Sequence, residues 1–228
     1  QKQFAASAAH ELRTPLAVMQ TNLEVFARKK TPTIEEYQDI FGMIQNQTER
    51  LSHLSEVLLD MTGIQSVERS DFISLAELTD EVCCDLASIA DQKKVELIQE
   101  EGDCTVTGSY LLLYRAVYNL VENAIKYNHS GGKVTVKISQ KKDLPAAHSK
   151  PTDYALVEVT DTGIGIPPEF QERIFDPFFR VDKSRSRAMG GAGLGLALVN
   201  EIARQHGGEV KVLKSDKNGS TIALILPL

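Results

Sequence analysis

The stretch Ala9-His10-Glu11-Leu12-Arg13-Thr14-Pro15 lies in a segment whose apolar residues recur at alternating steps of four and three. These residues are Ala5, Ala9, Leu12, Leu16, Met19, Leu23 and Phe26. Such spacing is typical of the seam along which a helix, here residues 4–28, packs against other helices. His10 falls one residue off this seam, beside Glu11 and one turn before Thr14. We therefore expect His10 and Thr14 on an exposed helix face, with the carboxylate and the hydroxyl within reach of the imidazole.

Two interpretations of this histidine are open from the stretch alone. The simpler one is an ordinary surface histidine on a helical bundle. Pro15 favours a functional interpretation, because a proline inside a helix removes a backbone hydrogen bond and kinks the helix one turn after His10.

A second helix is predicted after a break at residues 29–33. Thr33 and Glu36 have the spacing of a capping box at its start. Its seam consists of Tyr37, Ile40, Ile44, Gln47, Leu51, Leu54, Leu58 and Met61. One hairpin cannot bury both seams, so pairing with a second copy is expected to give a four-helix bundle. The sequence thus predicts a homodimer through a hairpin domain over residues 1–66.

The remaining residues, 67–228, are predicted to form a second domain. Residues 63–74 lose the heptad pattern and indicate a linker. Helices are predicted at 75–91, 110–127 and 195–206, and strands at 95–98, 104–107, 133–140, 154–160 and at the C-terminus. Ser109 is a typical N-cap for the second of these helices. Helices mixed with mostly antiparallel strands favour a two-layer α/β sandwich, so the fold class expected for the chain is α+β.

Composition narrows the possible functions. The 228 residues include 42% hydrophobic residues and carry a net charge of −6, with a pI of about 5.4, which argues against nucleic-acid binding. No apolar run approaches the roughly 18 residues of a membrane span. The chain begins at Gln1, and the cysteines Cys83, Cys84 and Cys104 lack metal-ligand spacing. We expect a cytoplasmic fragment that meets a membrane only through parts of a longer protein.

Several polar and glycine-rich stretches in the second predicted domain indicate a nucleotide site. Asn119 and Asn123 share one helix face, with Lys126 and Tyr127 at the end of that helix. The stretch DTGIGIP (161–167) follows a strand, and GGAGLGL (190–196) opens a helix, where backbone N–H groups can bind anions. Each feature alone has a structural explanation, such as asparagines bonded to a loop. Together they predict a site for Mg²⁺ and a nucleoside triphosphate, with the basic segment 181–189 as a lid.

Five motifs together resemble those of one family. They are HELRTP (10–15), NLVENAIKY (119–127), DTGIGIP (161–167), FDPFF (175–179) and GAGLGL (191–196). Over its whole length the chain resembles the cytoplasmic core of a two-component sensor histidine kinase. That family joins a dimerisation and phosphoacceptor hairpin to an ATP-binding domain of the type shared with gyrase and heat-shock chaperones. Ala192 and Ser109 depart from the family's frequent Thr and Asp without breaking the chemistry.

The resemblance implies an ATP-dependent kinase that phosphorylates its own histidine and passes the phosphoryl group to the receiver domain of a response regulator. His10 would be the phosphoacceptor, and Glu11 the base that takes its ring proton. Thr14 would orient water in a phosphatase reaction on the phosphorylated regulator.

The resemblance also assigns the nucleotide site. Asn123 would hold Mg²⁺ with Asn119 beside it, Lys126 and Arg180 would contact phosphates, and Tyr127 would pack near the nucleotide.

Two glycine-rich stretches complete this assignment. Asp161 would accept a hydrogen bond from the adenine amine, and Gly163 and Gly165 would shape the adenine pocket. The run Gly193-Leu194-Gly195 would offer backbone N–H groups to the phosphates.

Two other classes of protein are alternatives to the kinase. An ATPase of the gyrase or chaperone kind would place a water-activating Glu where this chain has Asn119, and an amide cannot act as that base. A dimeric scaffold that binds ATP without transferring phosphate is the second alternative, although every expected catalytic residue is present.

Overall fold

The fold of the chain comes from a computed structural model that describes residues 2–142, 153–181 and 193–228. Helix α1 spans Lys2–Ala27 and continues through Pro15, and helix α2 spans Ile34–Gly63. The predicted capping box opens α2: the Glu36 N–H donates to Thr33 Oγ1 at 3.3 Å, and the Thr33 N–H donates to Glu36 Oε2 at 3.1 Å. The two helices contact each other and form the expected hairpin.

The prediction of a linker at residues 63–74 is wrong for most of these residues. A 3₁₀ turn at Ile64–Ser66 follows α2 directly, and Ile64 is only 1% exposed. Strand β1, Asp71–Ser74, then pairs antiparallel with the distant segment Thr105–Gly108. Only residues 67–70 remain without helix or strand. The short strand escaped prediction because its partner is distant in sequence and its pattern is brief.

Three α-helices and six further strands follow β1 in the described part of the chain. They are β2 (Glu96–Gln99), β3 (Thr105–Gly108), β4 (Lys133–Lys142), β5 (Asp153–Asp161), β6 (Glu209–Asp216) and β7 (Gly219–Pro227), with α3 (Leu75–Lys93), α4 (Tyr110–Lys126) and α5 (Gly195–Gln205). One sheet has the order β2-β4-β5-β7-β6, with β2 parallel to β4 and the other pairs antiparallel. The α+β prediction is confirmed. The residues between the predicted strands 133–140 and 154–160 lie mostly outside the described part of the chain.

Helices α3, α4 and α5 form one layer, and α4 contacts strands β4 and β5 of the sheet. Their apolar faces are buried: Leu113 and Val117 of α4 and Ile202 of α5 are fully inaccessible, as is Val157 of β5. Burial of this apolar face is the main free-energy gain that holds the layers together. Ser109 caps α4 as predicted, because its Oγ accepts from the Leu112 N–H at 3.5 Å.

The end of the hairpin joins the apolar core between the helices and the sheet. Helix α2 and the 3₁₀ turn both contact α5, and Leu54 is 1% exposed within the same apolar cluster as Ile64. The hairpin differs from its middle towards the connecting loop: Leu16, Leu23 and Tyr37, all predicted seam residues, are 53%, 45% and 46% exposed. A single chain therefore leaves part of both seams open to solvent.

Candidate active site

A cavity of about 180 Å³ opens where the end of α4, the end of β5 and the start of α5 meet. Nearly all the residues predicted to contact nucleotide line it: Asn119, Asn123, Lys126, Tyr127, Asp161, Gly165, Arg180, Gly193, Leu194 and Gly195. Gly163 stands directly behind the lining, where its N–H donates to Asp161 Oδ1. The structure therefore brings together three segments of chain that are far apart in the sequence.

Asn119 and Asn123 are oriented by their own helix. The Nδ2 group of Asn119 donates to the Arg115 carbonyl at 2.8 Å, and that of Asn123 donates to the Asn119 carbonyl at 2.8 Å. Because each amide nitrogen is held by the backbone, each amide oxygen is directed away from it. An ideal Cβ on Gly195 would lie 2.6 Å from Asn119 Oδ1. A side chain at position 195 would displace this amide oxygen, so glycine leaves the Asn119 amide in place.

Cationic groups lie at the far end of α4. Lys126 and Arg180 both line the cavity. Burial lowers the pKa of Lys126; the carboxylate of Glu122 opposes this shift, and the positive charge of Arg180 adds to it. Two neighbouring cations in a partly enclosed cavity favour the binding of an anionic ligand, because its charge relieves their mutual repulsion.

Asp161 ends β5 with its carboxylate toward the same cavity. Burial raises its pKa, while hydrogen bonds from the backbone N–H groups of Gly163 and Ser220 act in the opposite direction. The Gly163 bond measures 2.7 Å. Gly165 turns the chain at φ +68°, and an ideal Cβ there would lie 1.8 Å from the Asp216 carbonyl oxygen. The turn thus requires glycine, which packs closely against the connection between β6 and β7.

The FDPFF stretch packs against the start of α5. The Phe178 N–H donates to the Gly193 carbonyl at 2.7 Å, and an ideal Cβ on Gly193 would lie 2.7 Å from the Phe179 carbonyl oxygen. The Phe179 ring lines the cavity and carries the Arg173 guanidinium 4.5 Å from its centroid. Beyond Val181, the segment predicted as a lid lies outside the described residues.

The three α1 residues that were predicted to be catalytic, His10, Glu11 and Thr14, do not line this cavity. His10 is exposed, as expected. Thr14 departs from the expected exposed position: it is half-buried, and its hydroxyl donates to the His10 carbonyl at 3.1 Å. A threonine in a helix often bonds back to the carbonyl four residues earlier, which explains the direction of the Thr14 hydroxyl. Glu11 is half-buried beside His10.

Sequence reasoning missed several residues that line the cavity, among them Glu122, Ile166, Phe179 and Ser220. Glu122 stands one turn before Lys126 on α4, a spacing that is typical of an ion pair on a helix. Ser220 lies on β7, opposite Asp161 in the strand pairing, and no local pattern indicates that neighbour.

The donor set fits Mg²⁺ held together with phosphate oxygens. Among the described residues, no group of three His, Cys, Asp or Glu side chains could hold a metal ion alone. Mg²⁺ usually takes one or two protein oxygens and completes its shell with water and substrate phosphates, and the amide oxygens of Asn119 and Asn123 suit that arrangement.

No helix in the described part of the chain is long and apolar enough to span a membrane.

Comparisons with known proteins agree with this architecture. A family model described as "Histidine kinase-, DNA gyrase B-, and HSP90-like ATPase" matches residues 108–228. A second model, "His Kinase A (phospho-acceptor) domain", matches residues 1–66. The chain therefore belongs to the histidine kinase-, DNA gyrase B- and HSP90-like ATPase family. Within that family it is a two-component histidine kinase catalytic core.

Two curated relatives match almost the whole chain. Sensor histidine kinase RppB of Synechocystis sp. is 33% identical over 233 residues, which cover 100% of this chain and 49% of RppB. Sensor histidine kinase WalK of Bacillus subtilis is 31% identical, with 99% of this chain and 36% of WalK covered. The chain thus spans half or less of the length of these relatives.

Solved structures share the fold. The Acinetobacter baumannii histidine kinase AdeS has a TM-score of 0.69 at 22% identity, covering 96% of this chain and 97% of that one. The mycobacterial sensor histidine kinase MprB has a TM-score of 0.55 at 28% identity, covering 69% and 97%. The histidine kinase ThkA in complex with response regulator protein TrrA has a TM-score of 0.72 at 22% identity, covering 99% and 61%.

Proposed function

We propose that this chain is an ATP-dependent protein-histidine kinase that phosphorylates its own His10 and passes the phosphoryl group to an aspartate of a response regulator. The observation that carries the proposal is the assembly of Asn123, Lys126 and Asp161 around one cavity in a chain that also presents an exposed histidine on a phosphoacceptor-type hairpin. The proposed division is a phosphotransfer hairpin over 1–66 and an ATP-binding domain over 67–228.

The cavity supplies a complementary group for each part of ATP. Asp161 accepts a hydrogen bond from the adenine amine, and Tyr127 packs near the nucleotide. Lys126 and Arg180 neutralise phosphate charge, which phosphoryl transfer needs more than covalent help from the protein. Asn123 would hold Mg²⁺ with Asn119 beside it, and the ion would supply charge withdrawal from the phosphates.

The N–H groups at the start of α5 bind the phosphates. Gly193 and Leu194 precede α5 and Gly195 begins its first turn, where backbone donors lack partners within the helix. Gly163 and Gly165 shape the adenine pocket, because an ideal Cβ would lie 2.5 Å from the Tyr127 carbonyl oxygen at Gly163 and 1.8 Å from the Asp216 carbonyl oxygen at Gly165.

At His10, a ring nitrogen attacks the γ-phosphorus of ATP while the bond to the bridging oxygen breaks, and ADP leaves with that electron pair. Glu11 takes the proton from the other ring nitrogen. A histidine is suited to this step because its neutral form is abundant near neutral pH.

The hairpin and the ATP-binding domain must move relative to each other for this reaction. His10 is not among the residues that line the cavity. We propose that residues 67–70 flex and that the contact between α2 and α5 rearranges, so that signals reaching the hairpin control the transfer.

Two partners follow from the proposal. A response regulator receiver domain would dock beside His10, just as the histidine kinase ThkA forms a complex with the response regulator protein TrrA. Thr14 would then orient water in a phosphatase reaction on the regulator. A second copy of the chain would cover the exposed seam at Leu16, Leu23 and Tyr37 in a homodimer. The chain would work as the cytoplasmic portion of a membrane-anchored receptor.

The test is incubation of the protein with γ-labelled ATP and Mg²⁺. The kinase predicts label on the protein that is labile to acid and stable to base, as a phosphohistidine is. Released phosphate without labelled protein would instead support the ATPase, and bound nucleotide with neither product would support the scaffold.

A further inference from the structure

The C-terminal end of α4 is held by a lysine from a neighbouring helix. Lys93 is the last residue of α3, and its Nζ donates to the backbone carbonyl of Lys126, the last residue of α4. The final carbonyl groups of a helix have no partner within the helix, and a cation there also interacts favourably with the helix dipole. Lys93 thus fixes the end of the helix that carries a phosphate-contacting side chain.

Backbone hydrogen bonds also join the end of α3 to the loop that follows α4. The Gly131 N–H donates to the Lys94 carbonyl at 2.7 Å, and the Glu96 N–H donates to the Gly132 carbonyl at 2.9 Å. These bonds hold the loop after α4 against the end of α3. The Lys93 ammonium extends the same connection to the helix itself, at the residue whose side chain lines the cavity.

The ammonium of Lys93 lies in an electropositive setting. Burial lowers its pKa, and the positive charge of Lys126 lowers it further. Lys126 in turn feels the positive charge of Arg180. The Lys126 ammonium, which lines the cavity with Arg180, would be stabilised by a polyanion bound there.

We propose that Lys93 is a positioning residue for the phosphates of the nucleotide: it anchors the Lys126 carbonyl and thereby sets where the Lys126 ammonium meets the phosphate chain. This inference rests on the proposed nucleotide site. Because Lys93 acts through Lys126 and not through the adenine pocket, its contribution should grow with the number of phosphates on the ligand.

The experiment compares variants by calorimetry with ATP, ADP and adenosine as ligands. Lys93→Met keeps the apolar part of the side chain but removes the hydrogen-bond donor and the charge. Lys93→Arg keeps both the donor and the charge. Lys94→Met is the matched control, because it removes the same charge from the next residue, whose side chain is exposed. Thermal unfolding of each protein without ligand records its stability.

Lys93→Met is expected to weaken ATP binding about tenfold, ADP binding less, and adenosine binding by less than about twofold, as loss of one charged hydrogen bond near a charged ligand allows. Lys93→Arg and Lys94→Met should stay near the parent protein. If Lys93→Met does not fold, Lys93→Gln, which removes the charge and has too short a side chain to reach the Lys126 carbonyl, should show the same order of losses.

Two results overturn the inference. One is a parent-like ATP affinity in Lys93→Met; the other is an equal loss for ATP and adenosine, which a purely structural role would produce. Failure of the parent protein itself to bind ATP would count against the nucleotide site and is therefore distinguishable from failure of Lys93's role.

Discussion

Replacing Asp161 by asparagine tests the adenine-binding role of its carboxylate. Oδ1 accepts the Gly163 N–H at 2.7 Å, the Ser220 N–H also donates to the carboxylate, and the adenine amine would be a further donor. An asparagine replaces one of the two acceptor oxygens by a donor, so one of these N–H groups loses its partner. A bond to a charged group contributes about 1.5–3 kcal/mol, which corresponds to a roughly 10- to 150-fold weaker ATP affinity.

The same substitution should change the pH dependence. Burial raises the pKa of Asp161, so the folded state binds this proton more tightly than the unfolded chain does. The contribution of Asp161 to the free energy of unfolding therefore declines as pH rises from the ordinary aspartate value of about 3.9 through the raised folded value. ATP affinity, which needs the carboxylate, falls as pH is lowered through that folded value. Both dependences should disappear in Asp161→Asn.

Calorimetric titration with ATP at several pH values measures these effects. Asp216→Asn is the matched control, because Asp216 ends β6, outside the cavity lining, and its Oδ1 accepts the Asn218 N–H, a role an amide keeps. Equal ATP affinity in Asp161→Asn and the parent protein would refute the assignment, and an equal loss in Asp216→Asn would show that net charge alone is responsible.

Three further substitutions test other parts of the mechanism. Thr14→Ala should leave self-phosphorylation unchanged but raise the activation free energy for dephosphorylation of the regulator by about 2–4 kcal/mol, at little cost in helix stability. Equal loss of both activities would contradict the role of Thr14. Gly165→Ala should lower thermal stability and ATP affinity, because φ +68° and the Asp216 carbonyl oxygen exclude a Cβ, and a parent-like melting temperature would argue otherwise. Leu23→Glu should raise the dimer dissociation constant at least about a hundredfold, measured by light scattering, since the two copies of Leu23, each 45% exposed in a single chain, would be buried in the proposed dimer; an unchanged dimer would reject the seam as the interface.

Local patterns in the sequence account for the parts of the fold that were predicted well. The Thr33–Glu36 capping box, the Ser109 cap and the apolar periodicity depend on residues within one or two turns of each other. The two asparagines were placed correctly on one face because i and i+4 positions coincide on any helix.

Contacts between distant residues account for what was missed. Strand β1 is defined by its pairing with β3, so residues 63–74 looked like a linker. The contact from Lys93 to the end of α4 joins residues 33 positions apart, and the only local signal was a lysine in the last turn of a helix. The hydroxyl direction of Thr14 also depended on side-chain geometry that spacing does not specify.

The central claim is that His10 receives the phosphoryl group from ATP bound in a separate cavity. The most direct measurement is label uptake from γ-labelled ATP in His10→Ala beside the parent protein, with ATP affinity determined on the same samples. We expect the variant to take up no acid-labile label and to bind ATP with parent-like affinity, because His10 does not line the cavity. Acid-labile label retained on His10→Ala would contradict the claim.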